Sequence, residues 1–277
     1  MNRRRFLRRS VAGVATAAVG TGLLTSRDRT ASAAGQDSGQ DDGSNDRSRE
    51  TLLPGTKYET EVVTIETGEP GPTAVVVGGL HGDERSGFHA AEAVATWSFR
   101  SGTVIVLPRA NVPAIEANTR ENDSGDLNRQ FPPGSEPETR LARAIWKLVA
   151  DADPDVVLDL HRSLGIYGVH RENVGQAVFP TATGDAVANA EKTTAYLNEE
   201  HVPWSMPLHD FSAGGGMGGT APLLAHKVGA DLDTPAYIVE TTIFLTTLPT
   251  RVDWTTAAAE HLLAQHGVER RTGGGGR

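Results

Sequence analysis

The sequence predicts an α/β protein in which helices cover both faces of a mostly parallel central sheet, a three-layer α/β/α sandwich. Short apolar, β-branched runs alternate along the chain with longer amphipathic or alanine-rich stretches, which is typical of strand-helix-strand units. The runs at 73–78 and 156–160 are mostly apolar and rich in valine, as in strands buried on both faces. The chain has 277 residues, of which 38% are hydrophobic, enough for one sizeable core.

The order of the elements follows from these patterns. The expected strands are 61–66, 73–78, 103–107, 156–160 and 236–240, and the expected helices are 86–97, 137–150, 186–200 and 253–266. The helix at 137–150 places Leu141, Ile145 and Leu148 on one apolar stripe. A long loop at 108–134 remains, and structureless loops beyond about 12–15 residues are usually functional.

The two ends of the chain differ in composition from the middle. Residues 1–33 begin with Arg3-Arg4-Arg5-Phe6-Leu7, continue with a small apolar run and end in small residues. This pattern indicates a twin-arginine export signal, and hence an exported protein at the cell surface or outside the cell that uses the twin-arginine machinery. The alternative is a membrane anchor, for which the apolar run is short. We expect a disordered linker at 34–50, a catalytic domain at 51–270 and a flexible tail at 271–277.

The charge and the residue types present limit the ligands that the protein could bind. The formal charge is −9, although residues 1–33 carry seven arginines and one aspartate, so the remainder carries −15. The whole chain has four lysines and no cysteine. An acidic, lysine-poor exterior indicates a halophilic source and argues against nucleic-acid binding. Without cysteine, a metal site must use His, Asp and Glu.

The stretch 74–84 ends a buried strand with two glycines, and His81 and Glu84 follow at once. Open α/β sheets bind ligands at the carboxyl ends of their strands, and imidazole and carboxylate are zinc ligands. His-x-x-Glu is a weak pattern, and a second copy occurs at His89 and Glu92. Because that copy lies inside an expected helix, we interpret it as an ordinary polar pair.

Two later strands end in residues of the same chemistry. The strand at 156–160 is followed directly by His161, the natural third metal ligand, although a lone histidine at this position is commonly structural. The strand at 236–240 ends in Glu240, which is placed to act as a general base toward a hydrolytic water, or else is a solvated strand end. All four residues would meet at one sheet edge.

The long loop carries Arg120, Asn128 and Arg129. Guanidinium groups present a planar fork that matches a carboxylate, so this loop is a candidate clamp for an anionic substrate. The alternative is ordinary surface charge. A glycine-rich segment at 212–219 is either a mobile lid or a plain flexible loop.

Four motifs together resemble the zinc carboxypeptidase superfamily, and in particular its succinylglutamate desuccinylase/aspartoacylase branch. They are His81-Gly-Asp-Glu84, Asp126-Leu-Asn128-Arg129, Asp159-Leu-His161 and the strand ending in Glu240. The resemblance covers about residues 70–265. No single motif is specific to this family, but the four motifs in this order and at these spacings are.

The resemblance implies a role for each of these residues. His81, Glu84 and His161 would bind one Zn²⁺ ion, and Glu240 would be the general base and acid. Asn128 and Arg129 would hold a substrate carboxylate, and Arg120 would polarise the scissile carbonyl. Asp126 would orient His81, as partners of ligand histidines do. Tyr167 is the candidate for the tyrosine that carboxypeptidases place near the scissile bond.

The function implied is hydrolysis of an amide bond in a carboxylate-bearing small molecule or peptide, as by an N-acyl amino acid deacylase. An exported metallocarboxypeptidase or peptide amidase on the same fold is the alternative, and a secreted, non-catalytic protein that binds zinc or anions is another. Aspartoacylases carry a further β-rich domain, and they carry an arginine shortly before the base. This chain has about 35 residues after Glu240 and no such arginine, so we expect those substrate contacts to be absent.

Overall fold

The computed structural model describes residues 45–170 and 173–272. The predicted export signal, most of the predicted linker and residues 273–277 of the predicted tail lie outside these ranges. No helix within the described ranges combines the length and apolar character that a membrane span requires.

Within residues 45–170 and 173–272, eight strands form one mixed sheet in the order β1-β2-β4-β3-β5-β8-β6-β7. Their bounds are β1 Asp46–Leu52, β2 Thr60–Glu66, β3 Thr73–Gly78, β4 Thr103–Leu107, β5 Val156–Ser163, β6 Ala177–Pro180, β7 Ser212–Ala213 and β8 Ala236–Thr242. The central strands β4, β3, β5 and β8 are parallel, and β1, β2 and β6 add antiparallel pairs beside them.

The described residues contain six α-helices, of which five lie between strands in the sequence and the last follows β8. They are α1 Arg85–Val94, α2 Val112–Ala117, α3 Arg140–Asp151, α4 Ala186–Glu200, α5 Leu224–Leu232 and α6 Leu248–Gln265, with short 3-10 turns at Leu127–Arg129 and Pro207–His209.

Side chains of β3 show how the layers form. Ala74 and Val76 pack into one buried cluster with residues of α1, α4 and α6, whereas Val75 and Val77 pack into a second cluster with residues of α3 and α5. Because successive side chains of a strand point to opposite faces, a strand covered on both sides is apolar throughout. The predicted α/β fold with a mostly parallel central sheet is confirmed.

The predicted strand and helix boundaries are wrong where an element depends on backbone pairing or on a helix cap and not on a periodic apolar pattern. Residues 46–50 of the predicted linker belong to β1, a polar edge strand held by its backbone pairing with β2. The loop at 108–134 contains α2, and α5, β6 and β7 were not predicted. The last helix begins at Leu248 rather than 253, because Thr247 accepts a hydrogen bond from Thr250 N and Pro249 occupies its first turn.

Candidate metal centre and active site

The sheet topology brings the predicted residues to one edge. Strands β3 and β5 are parallel neighbours in which Gly78 pairs with Leu160, so the residues following each strand meet. In the next strand, β8, Glu240 pairs with His161. Gly79 turns the chain with φ of +75°, a conformation that glycine adopts without strain, and His81 and Glu84 follow the turn.

The Glu84 carboxylate lies between two imidazole rings. Its Oε1 is 2.9 Å from Nδ1 of His81, and its Oε2 is 2.7 Å from Nδ1 of His161. One donor atom from each residue lies within 4.8 Å of the others, and all three side chains are buried. Two imidazole nitrogens and a carboxylate form the donor set of hydrolytic zinc sites, so these residues fit a zinc ion.

In each histidine, the ring nitrogen that does not face Glu84 contacts a second carboxylate. Nε2 of His81 lies 2.9 Å from Oδ1 of Asp126, and Nε2 of His161 lies 2.9 Å from Oδ1 of Asp159. The predicted partnership of Asp126 with His81 is therefore present in the geometry. Asp159 was quoted only as part of a motif. The signal that it contacts His161 was their spacing of two along a strand, which places both side chains on one face.

Opposite charges set the protonation of this cluster. Burial alone would raise the pKa of Glu84, but His161 and His81 hold it well below its usual range. Burial would lower the pKa of His161, yet Asp159 and Glu84 raise it well above its usual value. The protons shared between the imidazoles and Glu84 lie where a divalent cation would bind, so cation binding would release them.

Glu240 differs from the other carboxylates of the site. Its Oε2 is buried and has no hydrogen-bond partner among the described residues. Burial, reinforced by the nearby Glu84, raises the pKa of Glu240 to about 8 against the effect of His161. A carboxyl group whose pKa lies near neutrality is suited to accept a proton and return it.

The long loop divides into a buried part and an exposed part. Asn128 is buried. Its Oδ1 accepts from Leu224 N at 2.9 Å, and its Nδ2 lies 3.3 Å from Oδ2 of Asp159. The amide thus makes contacts within the protein, and one of them is to the carboxylate beside His161. Asn128 also lines the pocket, so its contact with substrate stays a prediction. Arg129 is exposed, lines the pocket and forms no ion pair within the described residues.

Arg120 bridges two carboxylates of the site. Its Nη1 donates to Glu84 Oε1 at 2.9 Å, and its Nε donates to Asp126 Oδ2 at 3.1 Å. The side chain also lines the pocket, together with the three candidate ligands.

The loop is anchored to α5 by a buried lysine. Nζ of Lys227 donates to the carbonyl oxygens of Pro132 and Ser135 and to Asp231 Oδ2. The sequence did not predict this contact, because a lysine near a helix carries no signal for burial.

A pocket of about 420 Å³ opens over these residues. It is lined by His81, Asp83, Glu84, Arg120, Asn128, Arg129, His161, Arg162, Ser163, Leu164, Val174, Leu223, Ile238 and Glu240. No residue of the glycine-rich segment 212–219 lines it; Gly214 N and Met217 N donate to β6 carbonyls instead. Of the two alternatives given for this segment, these contacts favour a plain loop over a lid.

Two further candidates also lie away from the pocket. Tyr167 lines a neighbouring cavity rather than the catalytic pocket. On α1, Glu92 lies 2.8 Å from Nδ1 of His89 and forms an ion pair with Arg109, which agrees with the interpretation of His89 and Glu92 as an ordinary polar pair.

The fold and this cluster define the class of protein. An open α/β sheet with two histidines and a glutamate at its carboxyl edge, and a further glutamate on the adjacent strand, is the arrangement of the zinc carboxypeptidase superfamily. Within this class, the model of the succinylglutamate desuccinylase/aspartoacylase catalytic domain matches residues 70–224, more than half of the chain. The chain belongs to that family.

Known relatives agree with this assignment. The chain is 38% identical over 108 residues to the N-alpha-acetyl-L-2,4-diaminobutyric acid deacetylase of Halomonas elongata, a match that covers 36% of this chain and 31% of that protein. The fold is similar to that of the cell shape determinant protein Csd4 of Helicobacter pylori, with a TM-score of 0.65 and 24% identity over 76% of this chain and 56% of Csd4.

A second solved structure has a similar fold. The ectoine utilization protein EutE (DoeB) of Ruegeria pomeroyi matches with a TM-score of 0.58 and 19% identity over 83% of this chain and 70% of that one. The alignments therefore span about a third of the curated relative and slightly more than half of Csd4.

Proposed function

We propose that the protein is a zinc-dependent hydrolase that cleaves an amide bond in a substrate carrying a free carboxylate, as an N-acyl amino acid deacylase does. One observation carries the proposal: one ligand atom each from His81, His161 and Glu84 lies within 4.8 Å of the others, in the pocket that Glu240 also lines with a buried Oε2 that has no hydrogen-bond partner among the described residues. The family match and the deacetylase relative support the same chemistry.

His81, Glu84 and His161 would hold the ion, and Asp126 and Asp159 would orient the two imidazoles. Zinc, when bound, supplies Lewis-acid polarisation of a carbonyl and lowers the pKa of water to about 7. Glu240 takes a proton from the attacking water at Oε2 and later delivers it to the leaving amine. Burial raises the pKa of Glu240, which makes its carboxylate a stronger base toward this proton.

Arg120 and Arg129 contact different parts of the substrate. Arg120 lies against Glu84 and directs its free N–H groups to the scissile carbonyl, where an oxyanion donor in comparable sites contributes roughly 3–4 kcal/mol. Arg129, exposed at the pocket wall, binds the substrate carboxylate and fixes the position of the amide.

Export belongs to the proposal as well. The arginine-rich start of residues 1–33 supports a twin-arginine route, which would deliver the folded, metal-loaded protein to the cell surface or beyond it. Fusion of residues 1–33 to a reporter, with Arg3 and Arg4 both replaced by lysine as control, tests the route.

The proposed activity is tested with two variants of the site and one matched control. Glu240→Gln should retain one zinc per chain and lose amide hydrolysis, measured with N-acyl amino acids and with metal analysis of the purified protein. Glu84→Gln should lose the metal, whereas Glu92→Gln, in the second His-x-x-Glu copy on α1, should keep both metal and activity. A chelator should abolish hydrolysis, and added Zn²⁺ should restore it.

The same panel separates the alternatives. A carboxypeptidase or peptide amidase would cleave peptides faster than N-acyl amino acids. Zinc binding without turnover of any amide would leave the non-catalytic binding protein as the better description. Hydrolysis that persists in Glu240→Gln would remove Glu240 from its proposed role.

A further inference from the structure

An ion pair joins the two chain segments that carry the candidate zinc ligands. Asp83 lies in the turn after β3, between His81 and Glu84, and Arg162 directly follows His161 in β5. Nη2 of Arg162 donates to the backbone carbonyl oxygen and to Oδ2 of Asp83, both at 2.9 Å. Both residues line the catalytic pocket, although neither was predicted to belong to the site.

The backbone of Arg162 contacts one of the ligands directly. Its N–H donates to Oε2 of Glu84 at 3.0 Å, and the same oxygen lies 2.7 Å from Nδ1 of His161. Arg162 therefore holds the turn at two points, through its backbone at Glu84 and through its guanidinium at Asp83. Two such contacts restrict both the position and the orientation of the turn relative to β5, as a preorganised metal site requires.

The ion pair is partly buried and belongs to these two residues alone. The Arg162 side chain is 15% exposed and the Asp83 side chain is 31% exposed. Within the described part of the chain, each is the only ion-pair partner of the other, and Oδ1 of Asp83 is buried without a hydrogen-bond partner. A partly buried pair is screened by solvent and salt less than a surface pair. Loss of either partner would therefore release the turn from β5.

The charge of Arg162 makes its position informative. A positive charge beside a site for a divalent cation repels that cation, and a negative charge attracts it. If charge alone mattered, Arg162 would weaken zinc binding and Asp83 would strengthen it. If instead the pair holds the ligands in place, both residues strengthen zinc binding. The two explanations predict opposite signs for the removal of Arg162.

We propose that Asp83 and Arg162 are positioning residues of the metal centre. Their ion pair fixes the turn that carries His81 and Glu84 against β5, so that the Glu84 carboxylate stays next to His161. This inference rests on the proposed function and deepens it, because the two residues act on the ion through its ligands. Loss of a partner that orients a metal ligand costs about 10- to 100-fold in metal affinity, so loss of this pair should cost about tenfold or more.

Titration of zinc against a competing chelator tests the sign of each effect. Asp83→Ala and Arg162→Met should each lower the zinc affinity by about tenfold or more. The double variant should bind zinc no more weakly than the weaker of the two single variants, because both substitutions remove the same contact. Tighter binding by Arg162→Met, or a double variant with the affinity of the unaltered protein, would overturn the proposal in favour of charge alone.

Arg109→Met is the matched control. Nη1 of Arg109 lies 2.8 Å from Oε1 of Glu92, in the second His-x-x-Glu copy, and neither residue lines the catalytic pocket. The substitution removes an ion pair of the same kind beside the same motif and should leave the zinc affinity unchanged. At a temperature where all the proteins are folded, a merely stabilising pair would change Tm and not the zinc affinity. Equal affinities for Arg109→Met and Arg162→Met would therefore contradict the positioning role.

Amide hydrogen exchange of the metal-free proteins keeps this inference distinct from the proposed function. The reporters are the Arg162 N–H, bonded to Glu84, and the Asp83 N–H, which donates to Thr119 O at 3.1 Å. Protection of both amides should fall in Asp83→Ala and Arg162→Met but not in Arg109→Met.

The outcomes separate the two proposals. An unaltered protein that binds no zinc would reject the proposed function, whereas the loss of amide protection would still show that the ion pair fixes the turn. Unchanged protection in the variants would overturn the positioning role even if zinc binds. If Arg162→Met does not fold, Asp83→Ala decides the matter through the protection of the Arg162 amide, since it removes only a partly exposed side chain.

Discussion

Oδ1 of Asp159 lies 2.9 Å from Nε2 of His161, two positions further along β5, on the side of the ring away from Glu84. Asp159 is itself buried, and its Oδ2 accepts from the amide of Asn128. The Asn128 amide in turn accepts from Leu224 N at the start of α5. The orientation of one candidate ligand thus depends on a chain of contacts that ends in a helix on the face of the sheet packed by α3 and α5.

Replacing Asp159 by Asn should weaken zinc binding while leaving all three candidate ligands in place. The amide keeps the shape but not the charge that stabilises the imidazole, and loss of such a partner costs about 10- to 100-fold in metal affinity. Titration against a competing chelator measures the effect. Asp155→Asn, in the exposed position just before the same strand, is the control; equal affinities for the two variants would refute the role of Asp159.

Replacing Arg129 by Ala should lower kcat/KM for carboxylate-bearing substrates by about 10- to 100-fold, since a hydrogen bond between charged partners contributes roughly 1.5–3 kcal/mol. Arg129 makes no ion pair within the described part of the chain, so its removal leaves no buried charge behind. The matched control is the carboxamide analogue of the substrate, on which both proteins should act alike. A loss of the same size on the carboxamide would show that Arg129 does not bind the carboxylate.

The sequence identified the residues of the site better than it identified the contacts between them. His81, Glu84, His161 and Glu240 each follow or end an apolar strand, and parallel strands bring their carboxyl ends together, so their convergence could be predicted. The hydrogen bonds of the Asn128 amide could not be predicted, because one of them is to Leu224 N at the start of α5, a nine-residue helix far along the chain from Asn128. The polar edge strand β1 was missed for a similar reason: its stability comes from backbone pairing, which leaves no apolar pattern.

A methyl group at position 87 should separate α1 from β5. The Cβ of an alanine there would lie 2.2 Å from Leu160 O. Leu160 precedes the candidate ligand His161 in β5, so a shift of this strand would also move the ligand. Alanine in a helix normally gains about 0.5–1 kcal/mol over glycine, but overpacking of this kind costs typically 1–3 kcal/mol or more. We therefore expect Gly87→Ala to lower the melting temperature and the zinc affinity together, as Glu84 moves away from His161.

Gly215→Ala is the control for this contact, because a Cβ at that position meets nothing within 4 Å. Its free energy of unfolding should stay within about 0.5 kcal/mol of the unaltered protein. Thermal unfolding and chelator titration of both variants provide the comparison. A Gly87→Ala protein as stable as Gly215→Ala, with unchanged zinc affinity, would mean that α1 and β5 can separate without affecting the site.

The fold should also lose stability in mild acid through a histidine far from the metal centre. Burial lowers the pKa of His266 at the end of α6, where its Nε2 lies 2.8 Å from the Tyr237 hydroxyl. As pH falls below about 6.5, the unfolded chain gains a proton at this residue before the folded chain does. Stability therefore decreases with falling pH, by at most about 1.4 kcal/mol per pH unit for this one group, until the lowered pKa of the folded state is passed.

The variant His266→Gln should reduce this slope, which denaturant unfolding between pH 7 and pH 5 measures with Asp and Glu still largely ionised. Tyr237→Phe separates burial from hydrogen bonding. It removes the hydroxyl and should lower stability at every pH, but it should keep the slope because burial is the main cause of the lowered pKa. If Tyr237→Phe removed the slope and His266→Gln kept it, the acid sensitivity would have to come from a different group.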